Sequence, residues 1–181
     1  MRKEYPSIKE LIKANLIKKE VPDTIEVINK LKEVKRRGYL TKEEFLAVCM
    51  WKSPRPKQRY LENTEEKIKT TTKKVLSTKF EKRKIELLTE LRGVSIPVAS
   101  AILTITNPRD YGIIDIRVWQ LLYFYEEVKT KPRGAGFNFN NWYSYLMKLR
   151  FLARELKVSV RDVERTLFYY HKTIQEGNLY K

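Results

Sequence analysis

Apolar residues recur along the chain mostly at three- and four-residue intervals, the spacing that lines up one face of an α-helix. Leu87, Leu88 and Leu91 share one face within EKRKIELLTELR; Val98, Ala101, Ile102 and Ile105 share one face of PVASAILTIT. The opening MRKEYPSIKELIKANLIKKE reads as an amphipathic helix. Asp23-Thr-Ile-Glu26 has capping-box spacing and predicts a helix that stops at Gly38. Thr41-Lys-Glu-Glu44 opens another through FLAVCMW, ended by Pro54 and Pro56. Asn63 and Thr64 start a basic helix, and a further helix runs from about Asp115 to Val128. KTKPRGAGFNFN is the glycine-rich linker, Asn140 or Asn141 caps the next helix, and Ser159-Val-Arg-Asp162 opens the last one. No segment alternates with period two between hairpin signals, so strands are few or absent. The pattern predicts an all-α, compact, two-lobed fold of about nine helices. It forms a single domain over 1–181, in which the terminal helices of 1–38 and 159–176 pack together.

Charge narrows the class of partner. Lys and Arg number 38 against 22 acids, a net charge of +16 at pH 7. Such an excess points to a polyanion, most often nucleic acid, because phosphate neutralisation supplies much of that binding. The stretch from Arg55 to Lys84 holds eleven Lys/Arg and four acids. Arg55, Lys57, Arg59, Lys73 and Lys74 are the expected phosphate contacts there, with a merely solvated helix face as the alternative. No run of about 18 apolar residues suggests a membrane span, and the first residues do not read as a signal peptide. A cytoplasmic, nucleoid-associated monomer is expected. Cys49 is the one cysteine and His171 the one histidine, which argues against a disulfide framework, a cysteine-ligated cluster or a zinc site. No metal or cofactor is expected. Three glutamines and six glycines beside abundant Lys, Glu and Ile resemble a thermophile composition.

The chemistry concentrates in LLTELRGVSIPVASAILTITNPRDYGIIDIRVW, Leu87 to Trp119. The break Arg92-Gly93-Val94-Ser95 is too short for anything but a tight turn. Gly93 can take a positive φ, Pro97 suits a first helical turn, and Arg92 adds charge beside exposed helix N–H groups. Such a helix-hairpin-helix at 84–106 can hold a backbone phosphate without reading sequence; an ordinary αα-hairpin turn is the other reading. LRGVSIPVASA followed by YGIIDIRVW resembles the helix-hairpin-helix DNA glycosylase superfamily, specifically over Lys84–Leu122 and more weakly over Glu43–Asn63 and the last helix.

That resemblance implies a base-excision repair enzyme, a DNA glycosylase or abasic-site lyase acting on duplex DNA with a damaged base or abasic site. It implies that Asp115 is the catalytic carboxylate facing a flipped nucleotide, whereas the local sequence also permits a plain helix cap. Two positions depart from the pattern. Ser95 replaces the third hairpin glycine, and Pro97 stands where bifunctional members carry their Schiff-base lysine. Either Asp115 activates water, or an amine comes from elsewhere. Lys52, in CMWKSPRPKQRY, is the candidate: a lysine against an aromatic ring in a partly dry pocket holds its amine more readily in nucleophilic form. It can equally be one of many phosphate-contacting lysines. Trp51 can stack on a base or fill the duplex gap, or belong to the core. Arg117 can touch a phosphate or support Asp115. Phe168 or Tyr169 can reach the lesion. A non-enzymatic helix-hairpin-helix DNA-binding protein is the rival reading.

Overall fold

In the computed structural model, which describes residues 3–175, six helices begin where a short polar side chain, Ser7, Thr41, Thr64, Asp115, Asn138 or Ser159, accepts one of the first free N–H groups. Eleven helical segments succeed one another: α1 (Ile8–Asn15), α2 (Pro22–Lys30), α3 (Val34–Arg37), α4 (Lys42–Lys52), α5 (Lys57–Leu61), α6 (Glu65–Ser77), α7 (Glu81–Thr89), α8 (Ile96–Thr106), α9 (Ile116–Phe124), α10 (Phe139–Leu156) and α11 (Val160–Ile174). α3 and α5 are single turns, which leaves nine longer helices, and no strand occurs among the described residues. The fold is all-α, as the periodicity predicts.

Both sides of the capping box form at Thr41–Glu44 and at Ser159–Asp162. Four boundaries differ from expectation. The box at Asp23 does not form, because Pro22 begins α2 and Val21 is its cap; Asp23 sits in the first turn, where its charge suits the helix dipole. That helix ends at Lys30, and the separate α3 carries the chain to Gly38. The reciprocal cap before α10 is Asn138 with Asn141, ahead of Asn140. α9 stops at Phe124 rather than Val128, since Glu126 takes a φ of 62° that no helix continues.

Packing divides the helices into two groups. α4 lies against α8, α6 and α2, and α6 and α8 against α7; α11 lies against α9, α10 and α1. The terminal segments thus meet through α1 and α11, and α10 touches α7 between the groups. One core cluster runs through both, with Phe45 and Tyr60 on one side and Trp119, Trp142 and Tyr145 on the other. Cys49 is wholly buried in it, and burial pushes its thiol pKa far up, so it is a packing residue. Among the described residues no helix is long and apolar enough to cross a membrane.

Candidate active site

Beyond α8 the chain returns as an irregular segment that ends at Asp115, and this segment is firmly held. Ser100 Oγ accepts the Ile114 N–H at 3.1 Å, and the buried Tyr145 hydroxyl donates to the Ile113 carbonyl at 2.7 Å. Gly112 lies so close to the helices behind it that a Cβ would meet Leu149 Cδ1 at 2.8 Å and Glu164 Cβ at 3.0 Å. The carboxylate that comes next is therefore fixed by backbone on both sides. Asp115 caps α9, with Oδ1 accepting the Arg117 N–H at 3.0 Å.

Its other oxygen faces the first group of helices. Lys52, the last residue of α4, donates from Nζ to Asp115 Oδ2 at 2.9 Å, the two side chains being 17% and 14% exposed. Burial alone pushes the Asp115 pKa up. The Lys52 charge and hydrogen bond, the Arg117 N–H and the Arg117 charge outweigh it and hold the carboxyl below its ordinary value. Sequence places these two residues 63 positions apart; the fold makes them one ion pair.

The pair stands between two cavities. One, of about 360 Å³, is lined by Trp51, Lys52, Asp115, Arg117, Phe168 and Tyr169, with Asp23, Thr24 and the charged face of α11 completing its wall. The other, of about 290 Å³, is lined by Lys52, Arg55, Ser95, Pro97, Asp115 and Phe137, and so reaches the start of α8. Lys52 and Asp115 belong to both. The Arg117 guanidinium sits 5.4 Å from the Phe168 ring centre, and its buried Nε meets no acceptor among the described residues. It supports Asp115 through its backbone N–H and its charge, not through a side-chain salt bridge.

Behind the first cavity lies a denser set of charges. Arg161 forks onto Glu20 at 2.7 and 3.0 Å and also binds Glu164; Arg165 binds Glu20, Asp162 and the Ile17 carbonyl. Burial outweighs Arg161 at Glu164 and raises its pKa above the ordinary value.

At the hairpin turn, Gly93 adopts a φ of +83°, and a Cβ there would lie 2.8 Å from the Tyr60 ring. The close approach that the glycine permits is thus to Tyr60. Asn63, expected as a helix start, is buried instead. Its side chain accepts the Arg92 N–H at 2.8 Å and donates to the Arg92 carbonyl at 3.0 Å, while Thr64 caps α6. Arg92 pairs with Glu62 at 2.9 Å on the surface. Val94 is buried, so it offers only backbone outward, whereas Ser95 is exposed at the α8 cap with no capping bond of its own.

Lys57 and Arg59 are exposed on α5 beside this turn. Lys73 and Lys74 are exposed on α6, and Lys73 lines a concavity with Leu103 and Thr106, at the other end of α8 from Ser95. The fold therefore separates Lys73 from the site. Sequence reading missed Asn63, Thr24 and the α11 charges. The signal for the last was present: Arg161, Glu164, Arg165 and Phe168 fall at helical spacing beside the apolar Val160, Val163 and Leu167.

Comparisons with protein-family models, with curated proteins and with solved structures return no match to this chain.

Proposed function

We propose that this chain is a base-excision DNA repair enzyme, a glycosylase and abasic-site lyase of the helix-hairpin-helix type. The observation that carries the reading is the Lys52–Asp115 pair at 2.9 Å, open to a cavity on each side. The hairpin-side cavity suits a sugar-phosphate held by the α8 start, with Arg55, Lys57 and Arg59 nearby as phosphate contacts. The cavity with Trp51, Phe168 and Tyr169 suits a flipped base lying between aromatic faces. The sugar then falls at the pair. Breaking the glycosidic bond develops positive charge on the sugar, which an ionised Asp115 stabilises.

The same pair supplies the lyase step that Pro97 cannot. Asp115 takes a proton from the Lys52 ammonium, and the freed amine attacks C1′ of the abasic aldehyde. Asp115 returns that proton to the carbinolamine hydroxyl, which leaves as water to give an iminium ion; a solvent water then takes a C2′ proton and the 3′ phosphate leaves by β-elimination. Lys52 lies beside Trp51 and against a carboxylate, the adjacent base that a nucleophilic amine requires.

Borohydride trapping on a duplex with one abasic site tests this. Wild type is expected to form a covalent adduct, Lys52→Ala to form none, and Asp115→Asn to form it at least about 100-fold more slowly while still binding. An adduct that survives Lys52→Ala moves the nucleophile to another amine. The rival reading, a non-enzymatic DNA-binding protein, draws on the cap that Asp115 gives α9. Absence of both adduct and base release across damaged duplexes would favour it.

A further inference from the structure

The two ends of α8 open on different surfaces. Residues Val98 to Ile105 are all buried, so no bound duplex can lie along this helix, and about 14 Å of packed helix separates Pro97 from Thr106. At the end remote from Asp115 is a concavity of about 740 Å³ whose lining includes Lys35, Lys73, Lys84 and Arg109. Arg109 also lines an adjoining concavity of about 730 Å³, with Lys18, Arg154 and Lys157.

These cations differ from those at the hairpin. Arg92 has Glu62 and Lys52 has Asp115, but Lys18, Lys35, Lys73, Arg109 and Lys157 form no ion pair with any described residue. Two acids line the second concavity: Asp162 binds Arg165, and Asp110 accepts from the Asn107 amide at 2.9 Å. Arg150 is held by Glu81 at 2.7 Å, and Lys84 donates to the Val75 carbonyl at 3.1 Å. The start of α11 offers no anion site here, since the Val160 and Arg161 N–H groups donate to the carbonyls of Arg109 and Pro108 at 3.1 Å. Free positive charge on this face is thus carried by side chains alone. A mononucleotide or free phosphate would occupy one concavity; a charge row that crosses both through Arg109 suits a longer polyanion.

We infer that this face is a second nucleic-acid surface, which holds the phosphodiester backbone of a separate duplex segment without reading its sequence. The inference rests on the proposed DNA-binding function. One chain then bridges two duplexes, one at the hairpin end of α8 and one at the Arg109 end. Like charges outnumber the acids on this face and repel one another, and phosphates relieve that repulsion with release of counterions.

The test is bridging. Beads carrying a short unlabelled duplex are loaded with wild type below saturation, and a fluorescent duplex is added at moderate salt. Capture of the labelled duplex is expected, and Lys35→Glu/Arg109→Glu/Lys157→Glu is expected to reduce it at least about tenfold while single-duplex affinity changes by no more than about threefold. Lys18→Glu/Lys73→Glu, at two other exposed positions, repeats the test should the triple variant melt early. Capture that survives both sets overturns the inference, because bridging would then run through self-association or the hairpin face. Wild type that holds the bead duplex but captures no second one overturns this inference alone. Wild type that binds neither duplex removes the proposed function with it.

Discussion

Two sets of buried charge meet the same cavity wall, and they are built differently. Lys52 and Asp115 form a single bond between two packing groups of helices, with a cavity on each side. Arg161, Arg165, Glu20, Glu164 and Asp162 form a mesh in which each guanidinium has at least two partners, and the arginine side chains are 9% and 3% exposed. The mesh also takes in main chain: Arg165 reaches the Ile17 carbonyl, and Thr166 Oγ1 accepts the Ile17 N–H at 2.9 Å. A charge with many fixed partners cannot exchange them without loss. A charge with one partner and open space can. The comparison assigns rigidity to the mesh and chemistry to the pair.

Removal of one mesh member should have the largest effect. Arg165→Ala leaves Glu20 and Asp162 each short of a partner and the 16–21 segment held only by Thr166 and the Arg161 fork on Glu20, a loss of about 3–5 kcal/mol of folding stability. Chemical denaturation of wild type and variant measures it. A loss under about 1 kcal/mol would mean that the mesh is as dispensable as a surface pair, and the contrast with Lys52–Asp115 would collapse.

Asp115→Asn should show the reverse pattern. Asn can still cap α9 and accept from Lys52 through its amide oxygen, and the Lys52 ammonium borders two cavities, so the stability cost is about 1–3 kcal/mol, below that of Arg165→Ala. Turnover on a damaged or abasic duplex should fall at least about 100-fold. Denaturation and single-turnover kinetics on one preparation separate the two quantities. A variant that unfolds like Arg165→Ala would make the pair a structural element.

A smaller change sharpens the division between grip and chemistry. Asn63→Ala strips both side-chain bonds from Arg92 and leaves a part-buried carbonyl and N–H without them, at a cost of about 1 kcal/mol. The hairpin turn should lose order while the pair keeps its geometry. Duplex affinity is expected to drop, with the single-turnover rate at saturating protein nearly unchanged. Equal losses in both would show that the turn also sets the pair.

How much the chain reveals in advance depends on how far its interactions reach. Helices were legible because their signals are local: Thr41 with Glu44 and Ser159 with Asp162 sit three residues apart and form the bonds their spacing predicts. Asp23 failed because a neighbour, Pro22, took the first helical position. Asp115 stood out as an acid among apolar residues, and Lys52 as a lysine beside Trp51, but nothing local joins positions 63 apart. Lys73 shows the converse. It belongs to the same basic stretch as Arg55, yet the fold carries it to the far end of α8. Asn63 reads as a cap from its neighbours alone; only the turn from Arg92, brought back against it, gives it another role.

The finest probe of the pair is His171, whose proton responds to Arg117 and Asp115. It is buried on α11, its Nε2 3.0 Å from Gln120 Oε1 and its Nδ1 without a partner among the described residues. Burial first, and then the Arg117 charge, lower its pKa from the ordinary 6.5, with Asp115 acting the other way. The folded protein therefore binds this proton less readily than the unfolded chain. Stability from the neutral ring is complete above about pH 6.5 and drains as pH falls through that value towards the lower folded pKa, by at most about 1.4 kcal/mol per pH unit. Glu164, whose pKa is raised, contributes in the opposite direction as pH falls. His171→Gln retains Glu164 and removes only the imidazole, so the difference between the two denaturation profiles from pH 7.5 to 5.5 isolates the ring. Wild type is expected to lose up to about 1 kcal/mol more than the variant. In a Lys52→Ala background Asp115 loses its neutralising partner and bears more strongly on His171, so that gap should narrow. A gap that ignores Lys52 would mean that His171 senses burial and Arg117 alone, and that the pair is electrically closed on itself.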